Sequence, residues 1–136
     1  MSATQQMNAM TSSVNYATKA ANGLKVAGNN MNSGAKNLAN NRVAAANGNA
    51  TVATNALTGA AKNLEKSANS LTPFVNLNRN VEVAQKYLRR AVAETVKVNT
   101  AKALALMGEA VARLATPQAN PINNNNRRLN NIKRKL

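Results

Sequence analysis

The chain has 136 residues and carries 18 Lys and Arg against 4 acidic residues, a net charge of +14, with no Cys, His or Trp. One domain is the most that this length supports. Without thiolates, imidazoles or clustered carboxylates there is no ligand set for zinc or a redox metal and no base to activate a nucleophile, so neither an enzyme nor a cofactor is expected.

Ala (27 residues) and Asn (25) fill 52 positions, and the aromatic residues are Tyr16, Phe74 and Tyr87. Aromatic side chains bury the most area per residue, so the core must be built from Ala, Val, Leu and Met and is expected to be thin. The opening MSATQQMNAM has neither a charged nor an apolar leader segment, and no run of 18 apolar residues follows. The expected product is a soluble polycation made inside the cell.

Residues 3 to 72 contain no proline, and their apolar positions alternate at spacings of three and four, the signature of an amphipathic helix. Met7, Met10, Val14, Ala17, Ala21, Leu24, Gly28, Met31, Ala35 and Leu38 form one seam. After a shift of one residue, Val43, Ala46, Ala50, Ala53, Leu57, Ala60, Leu64, Ser67 and Leu71 continue it. A helix drifts roughly 20° per heptad against a 3.5-residue repeat, so the shift fits either one very long helix or two. Asn-Asn and Asn-Gly pairs between Asn40 and Asn49 are turn signals, and two helices are preferred. Residues 1–72 thus read as an extended helix-turn-helix arm.

Thr72-Pro73 ends the second pattern, and residues 73–80 read as a loop that brings Phe74 and Val75 against the helices. Residues 81–116 read as a single C-terminal packing helix, with Val81, Ala84, Leu88, Val92, Val96, Ala103, Met107, Ala110 and Leu114 on one face. Leu104, Leu106 and Val111 widen that stripe. Five residues of it, Leu104, Leu106, Met107, Val111 and Leu114, are expected to form an exposed patch that holds neighbouring subunits together. Glu82/Lys86, Arg90/Glu94 and Glu109/Arg113 are expected surface pairs one turn apart. Residues 117–136 form a basic, Asn-rich tail.

The fold class that follows is all-α, low in aromatic residues and ordered by assembly, because Asn and Gly are poor helix formers and the first 71 residues need something else to order them. Charge suggests what that is. Residues 1–64 carry five cations and no acid, whereas an ordinary solvated helix face mixes both signs.

No cation falls in the apolar seam: Lys19, Lys25, Lys36, Arg42, Lys62 and Lys66 all take outward positions. With Arg79, Lys86, Arg89, Arg90 and Lys97, and with Arg127, Arg128, Lys133, Arg134 and Lys135 of the tail, they are the candidate nucleic-acid contacts. Their outward neighbours are Asn, Ser and Thr, which hydrogen-bond phosphate oxygens, and small residues, which allow close approach. The scarcity of aromatics argues against base stacking on single strands, and no sequence-reading motif is present. The residues therefore point to double-stranded DNA, bound without sequence preference.

In its helical, cysteine-free chain, basic along its length, with paired N-terminal helices and a helical C-terminal part, the sequence resembles the major coat proteins of filamentous and rod-shaped archaeal double-stranded DNA viruses of the rudivirus, lipothrixvirus and tristromavirus type. The resemblance lies in organisation and rests on no shared motif. It implies that two subunits, identical or related, clamp the duplex between their N-terminal helices, hold it in A-form and stack into a helical virion. A virion location, after synthesis in a host cytoplasm, is implied in the same way, and no residue indicates an envelope. Two other classes fit the residues: a nucleoid or histone-like packaging protein, and an amphipathic protein lying on anionic membrane surfaces.

Overall fold

A computed structural model describes residues 2–115, which form four α-helices and no strand. The tail expectation, residues 117–136, lies outside the described residues. Helix α1 (Ala3–Ala39) starts in a capping box, Ser2 Oγ accepting from Gln5 N at 3.1 Å and the Gln5 side chain accepting from Ser2 N at 2.9 Å. At 1.5 Å per residue it is about 55 Å long.

The chain then reverses in three residues. Asn41 takes a left-handed φ of 60°, Arg42 N donates to Asn37 O at 2.8 Å and Asn41 N to Leu38 O at 3.0 Å, the paired bonds of a Schellman cap. Asn tolerates this conformation better than other residues that carry a β-carbon. Helix α2 (Val43–Leu71) therefore begins before the Asn47-Gly48 pair and runs through it. Two helices are present as expected, and the break lies at the Asn40-Asn41 pair.

Helices α1 and α2 pack antiparallel along a seam of small residues. A β-carbon on Gly23 would stand 3.1 Å from the Ala56 carbonyl oxygen, and one on Gly34 would stand 3.2 Å from Asn49 Cβ. Ala20, Ala27, Ala53 and Ala60, all buried, line the same seam. A short 3-10 turn (Thr72–Phe74) seats Phe74 in the core, as expected for this loop. Asn78 then caps α3 (Arg79–Val96), and Gln85 Nε2 ties that helix back by donating to Ala68 O and Thr72 Oγ1, each at 2.9 Å.

The expected single helix over residues 81–116 is in fact two. Val98 adopts φ 63°, with Asn99 N donating to Glu94 O at 2.9 Å and Val98 N to Thr95 O at 3.0 Å. This is a second Schellman cap, and Asn99 Oδ1 then accepts from Lys102 N at 3.2 Å to start α4 (Thr100–Ala115). Of the expected surface pairs, Glu82–Lys86 forms at 3.2 Å, while Glu94 pairs across the turn with Lys102 at 3.7 Å.

Folding α4 back on α3 has a second consequence. Leu106, Met107, Val111 and Leu114 are buried with Met10, Val14 and Leu24 of α1 and Leu64 and Leu71 of α2, and Leu104 packs half-buried beside them. The stripe is covered within the chain by α3 and α1, the two helices that α4 packs against, and is therefore not an exposed subunit-contact patch. The core spans the first two thirds of α1 and the last two thirds of α2. Between residues 28 and 52 no side chain is buried, so the hairpin projects beyond the four-helix base as an arm of about 12 residues per helix, roughly 18 Å.

Candidate nucleic-acid interface

Two residues along a helix turn the side chain by about 200°. Lys19 stands between buried Ala17 and Ala21, and Lys66 stands two residues from buried Leu64 and Ala68, so both point away from the layer formed by α3 and α4. They meet over one ring: Lys19 Nζ is 5.5 Å and Lys66 Nζ 5.8 Å from the centroid of half-buried Tyr16. Cation–π attraction to the shared ring offsets the repulsion between the two like charges. Lys62 is exposed one turn from Lys66.

Around this cluster the outward positions of the hairpin repeat with their own register. On α1 they are Asn8, Ser12, Asn15, Lys19, Asn22, Val26, Asn29 and Ser33, spaced by alternate fours and threes. Asn recurs there at every seventh residue from 8 to 29. On α2 the matching line is Gly48, Val52, Asn55, Gly59, Lys62 and Lys66. A mostly polar seam, interrupted by exposed Val26 and Val52, thus runs opposite the apolar one. In the arm, Asn49 crosslinks the helices, accepting from Asn37 Nδ2 at 2.9 Å and donating to Asn30 Oδ1 at 3.1 Å.

The remaining candidate cations are divided. Lys25 and Lys36 lie on the flank of α1 away from α2, and Arg42 sits in the connection at the tip of the arm. On the far side of the base, Arg79, Lys86, Arg90 and Lys97 form a line down α3 at spacings of seven, four and seven, all exposed. Glu82 pairs with Arg79 at 3.1 Å and Lys86 at 3.2 Å. The Lys86 hydrogen bond first, then the charges of both cations, hold its carboxyl below the usual value. Arg89 reaches Asn69 of α2 at 3.5 Å, and Arg90 stacks over Tyr87 at 5.6 Å. Arg127, Arg128, Lys133, Arg134 and Lys135 lie outside the described residues.

Sequence reasoning missed the role of Tyr16, which it named only as one of three aromatic residues, and missed the order in the asparagines, which it weighed as composition. Their heptad spacing was the available signal. It also omitted Lys102 and Arg113, both exposed on α4. Among the described residues no three His, Cys, Asp or Glu side chains gather to hold a metal ion, and no helix is long and apolar enough to cross a membrane.

What the hairpin face offers chemically is a flat strip of ammonium groups and neutral amide and hydroxyl donors, suited to a repeating anion. No family model, curated protein or solved structure matches the chain.

Proposed function

We propose that the protein is an architectural protein that binds double-stranded DNA along the α1–α2 hairpin without reading its sequence, many copies to a duplex. The observation that carries this reading is the two-sided hairpin: one seam is used up in the core, while the other presents Lys19, Lys62 and Lys66 among regularly spaced Asn and Ser, with no acid in residues 1–64. Cations displace counterions from the duplex, and Asn and Ser donate to phosphate oxygens, neither of which depends on base sequence.

In its fuller form the reading is that of a coat protein in a filamentous virion, in keeping with the organisation it resembles. Because the α4 cluster is internal, contacts between copies fall to the arm, where Met31, Ala35, Leu38, Ala46 and Ala50 line an open cleft of about 320 Å³ and Leu38 and Val43 are exposed. A nucleoid protein would bind duplex in the same way without a regular lattice. The membrane-surface reading has less support, since the apolar seam it requires is closed inside the base.

Fluorescence anisotropy with two 30-base-pair duplexes of unrelated sequence tests the proposal. Affinities within about threefold of each other are expected, with weaker binding to a single strand of equal length. Absence of binding, or a strong preference for one duplex, overturns it. Electron microscopy of the DNA complex separates a coat from a nucleoid protein by the presence of a regular helical filament.

A further inference from the structure

The chain has two tyrosines, and each lies half-buried beneath cations on a different side of the molecule: Tyr16 under Lys19 and Lys66, Tyr87 beside Arg90. The α3 side carries its own row of cations. Arg79, Lys86, Arg89, Arg90 and Lys97 stand exposed along a helix of 18 residues, about 27 Å long. Two carboxylates lie on the same helix: Glu82 engages Arg79 and Lys86, and Glu94 pairs with Lys102 of α4. The inner face of this helix, Val81, Ala84, Leu88, Ala91 and Thr95, is buried, so the cations point out of the base on the side opposite Lys19 and Lys66. Five cations to two carboxylates over five helical turns, with Glu94 turned to Lys102 of α4, leave a net positive strip suited to a polyanion.

We infer that the α3 face is a second duplex-binding surface, so that one molecule holds two DNA segments side by side with its two helical layers between them. The inference rests on the reading of the hairpin as a duplex-binding face and adds to it a bridging activity. One face suffices to coat a single duplex. A second basic face on the opposite side lets the protein draw neighbouring turns of a packaged genome together despite their mutual repulsion.

A bridging assay tests this with the full chain. Bead-tethered duplex is mixed with protein and a labelled, untethered duplex in 50 mM salt, and protein and label retained on the beads are both measured. The wild-type protein is expected to retain the label. Lys86→Gln/Arg90→Gln/Lys97→Gln is expected to coat the beads to within about threefold of wild type and to lose label capture at least fivefold. All three positions are exposed, and circular dichroism confirms that helix content is unchanged.

If the wild type coats the beads but captures no label, or if the α3 variant captures as much as wild type because the tail or self-association does the bridging, the inference is overturned while duplex binding stands. If the wild type does not coat the beads at all, the duplex reading falls and the inference with it.

Discussion

Ser13 and Ser67 face each other across the buried α1–α2 seam, Oγ to Oγ at 2.9 Å, and Ser67 Oγ donates to the Ser13 carbonyl at 2.6 Å. Since a hydroxyl has one proton, the Ser13 hydroxyl must be the donor between the two. The pair is therefore asymmetric. Ser67→Ala removes the acceptor and leaves a buried donor to find another carbonyl, which costs about 1–2 kcal/mol. Ser13→Ala leaves Ser67 bonded to the backbone and is expected to cost less than half as much. Urea unfolding of the two single variants and the double variant checks this, the double costing less than the sum of the singles.

Val98 is the second place where the fold departs from local preference. A left-handed φ costs an L-residue roughly 1–2 kcal/mol, and a β-branched side chain is among the least suited to it. Val98 is about half exposed, at 49%, so little burial is lost on removing its side chain. Val98→Gly is accordingly expected to raise stability by about 1 kcal/mol, seen as an increase in Tm of several degrees. No change, or a loss, would mean that the turn is not strained there.

These two sites show what the sequence could and could not reveal. The seam from Met7 to Leu24 and from Ala60 to Leu71 was legible because burial imposes its spacing, and the turn at Asn41 was marked by a residue type that tolerates it. The turn at Val98 carries no such mark. The polypeptide reverses there because α4 gains a core by folding back, a tertiary gain outweighing local cost, and the one local hint is Asn99 as a helix cap.

The same blindness affected the site. Apolar residues of α4 looked too many for one neighbour because the second neighbour exists only once α4 has turned back. The cations were legible as a list, but their division between two opposite faces depends on the connection at residues 72–78 that lays α3 against α2.

Glycine substitutions distinguish close packing from open surface. Gly23→Ala brings a β-carbon within 3.1 Å of the Ala56 backbone oxygen, so the helices must separate, whereas a β-carbon on Gly28 meets nothing within 4 Å. Gly23→Ala is expected to destabilise by about 1–3 kcal/mol. Gly28→Ala should stabilise by about 0.5–1 kcal/mol through helix propensity alone. Thermal unfolding followed by circular dichroism distinguishes the two signs.

The arm and the base should differ in local stability. Residues 7–24 and 53–71 pack into the core without any partner, so the need for an outside agent to order residues 1–71 narrows to residues 28–52, where nothing is buried. Amide hydrogen exchange is expected to be fast in residues 28–52 of the free protein and slow in the base, with protection gained in the arm when duplex is added at low salt. Equal protection along both halves of the hairpin in the free protein would show that the arm needs no partner.

The claim that the hairpin face holds duplex through its cations is tested most directly by the salt dependence of binding, for wild type and for Lys19→Gln/Lys62→Gln/Lys66→Gln. Log affinity against log salt should fall with a slope of about −0.9 per phosphate neutralised. Six or more contacts then weaken wild-type binding by about 10³-fold or more between 50 and 200 mM salt. The triple variant should have a slope shallower by about 2 to 3, with an unchanged indifference to sequence. A wild-type affinity that is flat in salt, or a triple variant whose slope matches wild type, would contradict the account.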